Sequence, residues 1–167
     1  MVVKTRAYKE EATLEGLVAK KLIKGKKTLA IAESCTGGLL SKCLTDVPGS
    51  SKFIKLNIIA YSNEAKINVL EVPIKVIKNY GAVSSQTAAH MAAGIKKLAK
   101  STYGFSITGI AGPSGGSKEK PVGLVYFGFV KGNKVKTKKV FFDSSSSRKT
   151  IRFLATQFAL SWLKKAL

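Results

Sequence analysis

The segment AESCTGG at 32–38 holds the side chains best suited to nucleophilic chemistry. Ser34 and Cys35 are candidate nucleophiles, and the apolar run at 28–32 before them predicts a buried strand. In an open α/β sheet, a helix that begins after such a strand directs free N–H groups and its positive dipole end at an anion. Simple capping of that helix by a serine or threonine explains this segment equally well. The candidate ligand-binding residues of the segment are Thr36, Gly37 and Gly38.

Two proton-carrying side chains follow the apolar run at 53–61, which predicts a second strand. Tyr61 and Lys66 can each act as a general base when burial or a nearby cation lowers the pKa. A serine needs such a base to become a nucleophile, and lysine is one known choice. The single histidine, His90, falls inside a predicted helix, and we interpret it as structural.

A loop at 109–121 contains four glycines and two prolines between two predicted strands. A connection of this length with two prolines is more typical of a functional loop than of a merely flexible hairpin loop, which is the alternative. Its backbone N–H groups can form a nest for a phosphate or an oxyanion. The candidate ligand-binding residues of this region are Thr108, Gly109, Gly112 and Gly115.

Two arginines lie one turn apart at the beginning of the last predicted helix. Arg148 and Arg152 therefore share a helix face, and two guanidinium groups beside a helix N-terminus suit a phosphate. On spacing alone, two solvated surface arginines explain the pair at least as well.

The elements that position these residues alternate in the order α-β-α-β-α-α-β-β-β-α. The first is an amphipathic helix over residues 8–24, and the last two strands are joined by a turn at Gly132-Asn133. Helices between the early strands imply parallel crossovers, whereas the late hairpin is antiparallel. The sequence therefore predicts an α/β fold, a three-layer α/β/α sandwich with a mixed, roughly five-stranded sheet, built as a single domain over residues 1–167.

The composition limits the classes of partner. Lys and Arg total 29 and Asp and Glu total 9, which gives a formal net charge of +20. The lysines are spread along the chain, with one dense stretch at 131–139, so we expect a solvated surface and no nucleic-acid partner. No apolar run approaches the ~20 residues of a membrane span, and residues 1–9 do not resemble a secretory signal, so we expect a cytoplasmic protein without a membrane partner. One histidine and two cysteines eight residues apart predict neither a metal nor a cofactor.

Seven blocks in this order resemble one known family. They are AESCTGG (32–38), PGSS (48–51), YSNEAK (61–66), GAVS (81–84), TGIAGPSGG (108–116), KPVG (120–123) and the pair Arg148 and Arg152. Together they resemble the C-terminal domain of the CinA (competence/damage-inducible) family from about residue 10 to 165. Stand-alone members of that family act as nicotinamide-nucleotide amidases.

The resemblance implies a small-molecule nucleotide substrate and a hydrolytic reaction. Nicotinamide mononucleotide would be deamidated to nicotinic acid mononucleotide and ammonia, and the resemblance leaves self-association into a homo-oligomer open. Ser34 matches the family's proposed nucleophile, and Tyr61 and Lys66 match its proton-handling residues. Thr108 with the glycines after it matches the substrate loop, and Arg148 matches a substrate-binding arginine.

The sequence departs from the family pattern just before Arg148. The family usually has Gly-Asp there, whereas this chain has Ser146-Ser147. The missing acidic side chain motivates one alternative to an amidase, a nucleotide-binding or regulatory module with weakened catalysis. The net charge separately motivates a second alternative, a nucleic-acid-binding protein, for which the sequence contains no recognisable motif.

Overall fold

The computed structural model describes residues 13–167. The first helix begins at Leu14, after a Thr13 cap, so the part of the predicted helix at 8–12 lies outside the described residues. A single 3₁₀ turn, Ser50–Lys52, precedes the second strand. The helices and strands are α1 (Leu14–Lys24), β1 (Leu29–Glu33), α2 (Leu39–Thr45), β2 (Ile54–Ile59), α3 (Asn63–Asn68), α4 (Ile74–Tyr80), α5 (Ser85–Ala99), β3 (Tyr103–Gly109), β4 (Leu124–Lys131), β5 (Lys134–Phe141) and α6 (Arg148–Ala166).

The five strands form one mixed sheet in the order β2-β1-β3-β4-β5. β1 pairs in parallel with both β2 and β3, whereas β3–β4 and β4–β5 are antiparallel. The turn at 132–133 joins the last two strands as the sequence predicts. These observations confirm the predicted α/β sandwich with a mixed five-stranded sheet.

The alternation of side chains along β1 shows how the sheet separates two cores. Leu29 and Ile31 point into the cluster formed with α1, α2 and α6, and Ala30 and Ala32 point into the cluster formed with α4 and α5. All four are fully buried. A strand buried on both faces is typical of the centre of a parallel sheet covered by helices. The small alanines leave room for α5 to pack closely on that side.

The helix predicted to start within 34–38 begins later than expected. Residues 34–38 form consecutive turns, and α2 starts only at Leu39. Gly37 and Gly38 have φ angles of +60° and +89°, a region that favours glycine and is incompatible with a regular α-helix. Ser34 therefore lies in a turn and not at the helix N-terminus, and Cys35 does not share a helix with Cys43.

The parallel strands β1, β2 and β3 end at the same edge of the sheet. Their last residues, Glu33, Ile59 and Gly109, are followed directly by the segments that the sequence analysis singled out. Chain connections at this edge are where α/β proteins bind ligands. Among the helices of residues 13–167, none combines the length and hydropathy needed to cross a bilayer.

Candidate active site

A buried lysine lies against a buried serine at this edge of the sheet. The Lys66 Nζ atom is 3.2 Å from Ser34 Oγ, although the two residues are 32 positions apart in the chain. The exposed fraction is 2% for Lys66 and 7% for Ser34. The short helix α3, capped by the Ser62 hydroxyl on the Ala65 N–H, carries Lys66 inward from the end of β2. The pair has the geometry of a nucleophile and its general base.

The remaining contacts of the Lys66 amine are backbone carbonyls. Its Nζ donates to the carbonyl oxygens of Ala60 at 2.8 Å, Tyr61 at 3.2 Å and Ser62 at 3.4 Å. No carboxylate within residues 13–167 forms a salt bridge with it. Burial lowers the pKa of Lys66, with Cys35 and Glu64 opposing this more weakly. Near neutral pH, a larger fraction of this lysine is neutral than of an exposed lysine. It is therefore more often in the form that can accept a proton.

The turn that holds Ser34 is fixed by a buried carboxylate that the sequence analysis did not single out. Glu33 is fully buried, and its Oε2 accepts the N–H groups of Gly38 at 3.0 Å and Leu40 at 3.3 Å. Its Oε1 accepts the backbone N–H of Ser41 at 2.7 Å and the Ser41 hydroxyl at 2.6 Å. The beginning of α2 is thus occupied by the protein's own carboxylate. A carboxylate immediately before a Gly-Gly pair and a helix is the sequence signal that could have indicated this role.

The N–H groups of Gly37 and Gly38, two candidate ligand-binding residues, already have acceptors within the protein. The Gly38 N–H is bound to Glu33, and the Gly37 N–H donates to the Ser34 carbonyl at 3.0 Å. Neither glycine lines the cavity beside Ser34. Their contribution in this structure is the positive φ angles that turn the chain.

Arg152 and Thr36 likewise lie outside the cavity lining, contrary to the expectation that they contact substrate. Arg152 donates from Nε at 3.1 Å and from Nη2 at 2.7 Å to the Thr36 carbonyl. Thr36 is fully buried. The guanidinium donates two N–H groups to one carbonyl, so Arg152 holds the turn after Ser34 in place together with Glu33.

The cavity beside Ser34 gathers most of the other expected residues. It has a volume of about 250 Å³. The expected residues that line it are Ser34, Tyr61, Lys66, Thr108, Gly109, Gly112, Gly115 and Arg148. The lining residues that the sequence analysis had not assigned to ligand binding are Cys35, Asn63, Ala82, Val83, Ile110, Ala111 and Ser114. His90 is exposed on α5 and is not part of the lining.

Arg148 spans the mouth of this cavity. It donates from Nη1 to the Gly112 carbonyl at 2.9 Å and from Nη2 to the Tyr61 hydroxyl at 2.8 Å. Tyr61 is 60% exposed, and its hydroxyl contacts Arg148, whereas the amine of Lys66 is the proton carrier that contacts Ser34. The geometry therefore favours Lys66 over Tyr61 as the base for Ser34, a choice that the sequence left open.

The glycine-rich loop supplies backbone donors on the opposite side of the cavity. The N–H groups of Ala111, Gly112, Ser114 and Gly115 have no acceptor among residues 13–167. The Thr108 hydroxyl donates to the Ala82 carbonyl at 2.8 Å, so its side chain anchors the start of the loop. Free amides at a cavity wall are able to bind an anion.

The Ser146-Ser147 departure has a structural explanation. Ser147 is the N-cap of α6, and its hydroxyl accepts the Thr150 N–H at 3.1 Å. Serine and aspartate are both favoured N-cap residues, so either side chain starts the helix that presents Arg148. The substitution removes a negative charge next to Arg148 but keeps the capping interaction, which weakens the case for a module with lost catalysis.

Comparison with known proteins identifies the family of this chain. The CinA C-terminal domain family model matches residues 11–167, and the chain belongs to this family. A relative in Alkaliphilus metalliredigens, named as a competence-damage inducible protein, is 50% identical over 157 residues. The match covers 94% of this chain and 38% of that relative. The CinA-like protein of Dictyoglomus thermophilum is 48% identical over 157 residues, again 94% of this chain and 38% of the relative. The chain thus spans about two fifths of the length of these curated relatives.

Solved structures of the same superfamily share the fold. A CinA superfamily protein from Escherichia coli superimposes with a TM-score of 0.87 at 31% identity, covering 98% of this chain and 95% of that chain. The competence/damage inducible protein CihA from Agrobacterium tumefaciens has a TM-score of 0.84 at 34% identity, covering 96% of this chain and 97% of that chain.

The environment of Cys35 predicts an unreactive thiol. Cys35 is buried, and this burial raises its pKa to about 12. At pH 8 such a thiol is a thiolate in about one molecule in ten thousand, so alkylation should be very slow. In a Cys43→Ser variant, Cys35 is the one thiol left. We expect mass spectrometry after iodoacetamide treatment to show no adduct on the folded variant and a full adduct in denaturant. Rapid modification of the folded variant would contradict this prediction.

Proposed function

We propose that this protein deamidates nicotinamide mononucleotide to nicotinic acid mononucleotide and ammonia, with Ser34 as nucleophile. The observation that carries this proposal is the 3.2 Å contact between the buried Lys66 amine and the Ser34 hydroxyl. Membership of the CinA C-terminal domain family supports it, because the resemblance implies this reaction. The reaction would belong to the recycling of pyridine nucleotides in the cytoplasm.

The chemistry proceeds as an acyl transfer through Ser34. Lys66 in its neutral form takes the hydroxyl proton as Ser34 Oγ attacks the carboxamide carbon. The tetrahedral intermediate collapses with breakage of the C–N bond, and Lys66 returns the proton to the departing nitrogen, which leaves as ammonia. Water then attacks the ester, with Lys66 again as base, and its oxygen becomes part of the carboxylate of the released acid. The ester C–O bond breaks, and Lys66 passes the proton taken from water to Ser34 Oγ. The proton that Ser34 first gave up has left in ammonia, so the enzyme returns to its starting state.

The developing negative charge needs donors that the protein has not already used. Because the start of α2 is occupied by Glu33, free amides elsewhere must stabilise the oxyanion. The N–H groups of Cys35 and Thr36 directly follow the nucleophile and donate no backbone hydrogen bond among residues 13–167. The free amides of the glycine-rich loop lie across the cavity. The oxyanion is therefore assigned to the turn after Ser34 together with this loop.

Arg148 is assigned to the phosphate of the mononucleotide. A phosphomonoester carries a charge near −2 at neutral pH, and a planar guanidinium binds two of its oxygens at once. In this structure both terminal nitrogens of Arg148 are bonded to Gly112 and Tyr61. A bound phosphate would take over these donors, leaving the Tyr61 hydroxyl free to hydrogen-bond the substrate.

The nucleophile is tested by Ser34→Ala. We expect ammonia release from nicotinamide mononucleotide to fall at least about a thousandfold, because the covalent route is lost. Ser101→Ala is a matched control, since Ser101 is buried to the same extent and lies away from the cavity. Thermal unfolding of both variants checks that folding is intact. Near-normal turnover of Ser34→Ala would eliminate the serine mechanism, and no ammonia release from the wild-type protein would eliminate the proposed substrate.

The base is tested by the pH dependence of kcat/KM. Lys66 must be neutral to accept the proton, so the rate should rise with pH until the pH exceeds its pKa and should fall as the amine becomes protonated below it. Burial lowers this pKa, so the rise should occur below pH 10.5, the ordinary pKa of a lysine side chain. Lys66→Met should be nearly inactive and should lose this limb of the profile. A wild-type limb retained in Lys66→Met would show that another group is titrating.

The phosphate contact is tested by Arg148→Lys. Lysine keeps the charge but cannot bind two oxygens in a plane, so KM for the mononucleotide should rise about tenfold or more. Activity on nicotinamide riboside, which lacks the phosphate, should change much less. The decisive quantity is the ratio of the two losses, and equal losses on both substrates would show that Arg148 does not contact the phosphate.

A further inference from the structure

A second and larger concavity lies on the β4–β5 hairpin, beside the C-terminal end of α6. Its volume is about 770 Å³, compared with about 250 Å³ for the cavity at Ser34. We call this surface the basic groove. Its lining residues are Phe129, Lys131, Lys134, Lys136, Thr137, Lys138, Trp162, Lys165 and Ala166. The two cavities share no residue.

The pleat of β5 explains why its lysines line one face. Lys134, Lys136 and Lys138 occupy alternate positions, so their side chains project to the same side of the sheet. In the antiparallel register, Lys136 lies opposite Phe129, whose ring contacts Trp162 of α6 at 6.1 Å. The three lysines therefore face the α6 side. β5 is an edge strand, and all three of these lysines are exposed.

No acidic side chain lines the basic groove. The salt bridges found among residues 13–167 are Lys42–Asp46 and Lys97–Glu71, and neither involves a lysine of the groove. Five ammonium groups around one concavity repel one another in the absence of an anion. A bound polyanion would relieve this repulsion, which gives the groove a preference for that chemical class.

Aromatic rings hold two of the lysines in place. The Lys138 Nζ lies 5.3 Å from the Trp162 ring centroid and 5.7 Å from that of Phe158, and the Lys131 Nζ lies 5.7 Å from that of Tyr103. Such contacts orient an ammonium group that otherwise moves freely in water. Trp162 is buried beneath Lys138, so it offers no open face on which a base could stack. The groove must therefore recognise an anionic backbone and not its bases.

We propose that the basic groove binds the phosphate backbone of single-stranded nucleic acid without sequence preference. Alternate residues of a strand are about 6.8 Å apart, so the β5 lysines form a line of charges that an extended chain of phosphates can follow. The concavity, with a volume of about 770 Å³, suits an extended single strand better than the stiff, convex surface of a duplex. A membrane surface would require a flat or protruding basic face with exposed apolar side chains, whereas this site is concave.

This inference is independent of the proposed amidase. It also revises the interpretation that the lysines form only a solvated surface, because the fold brings Lys165 of α6 next to lysines that are about thirty positions earlier in the chain. The sequence shows the hairpin stretch at 131–139 but not that α6 completes the wall of the groove.

The test measures binding of a fluorescein-labelled oligo(dT) of 12 nucleotides by fluorescence anisotropy. It compares the wild type with the triple variant K134Q/K136Q/K138Q and with a control triple variant, K55Q/K75Q/K78Q. All six lysines are exposed, and the control lysines lie outside the groove. Both variants lose the same three charges, so a difference between them reports position and not net charge. Thermal unfolding confirms that both variants are folded.

We expect the groove variant to bind at least about tenfold more weakly at low salt and the control to bind nearly like the wild type. For five phosphate contacts the plot of log K against log salt should have a slope of about −3.5, falling to about −1.4 when two contacts remain. Equal losses in the two variants would overturn the proposal, since binding would then follow bulk charge. Equal competition by polyglutamate or by anionic phosphatidylserine vesicles would also overturn it, in favour of an acidic protein or a membrane.

Discussion

The amine of Lys66 must give up most of its water to reach Ser34, and the arrangement of the site follows from that cost. Desolvation disfavours a charged ammonium, and no salt bridge to it is present among residues 13–167. Three backbone carbonyls at the end of β2 replace part of its hydration. They can accept hydrogen bonds from either the neutral or the charged amine. A lysine held this way is stable enough to be buried while remaining able to take up a proton.

The serine side of the pair is held just as firmly, by groups that do not touch the cavity. Glu33 binds the N–H groups at the start of α2, and Arg152 grips the Thr36 carbonyl. The short turn between these two anchors carries Ser34 and leaves the amides that follow it unpaired. A helix N-terminus is ordinarily able to bind an anion, but the N–H groups at the start of α2 are already bonded to Glu33. In the proposed mechanism, the turn, the glycine-rich loop and Arg148 therefore bind the anionic groups.

The positive charge of this protein occurs in two different local arrangements. At the cavity beside Ser34, Arg148 is the lining arginine, and its guanidinium donates hydrogen bonds to the Gly112 carbonyl and the Tyr61 hydroxyl. At the β4–β5 hairpin, five lysines line the groove without an acidic side chain, and two of them, Lys131 and Lys138, lie over aromatic rings. The first arrangement is suited to one compact phosphate, and the second to an extended series of phosphates. The same net charge of +20 therefore does not define one kind of partner.

Local sequence determined the elements, because the signals for them lie within a few residues. The hairpin turn at 132–133 was predicted at the position where the structure has it. The ordered motifs also indicated the family and most of the residues that line the cavity. Only the tertiary structure placed Lys66, and not Tyr61, against Ser34, and only it assigned Glu33 and Arg152 to holding the turn. These outcomes depend on parallel strand pairing and on packing of α6, which join distant residues and leave no periodic signal in the sequence.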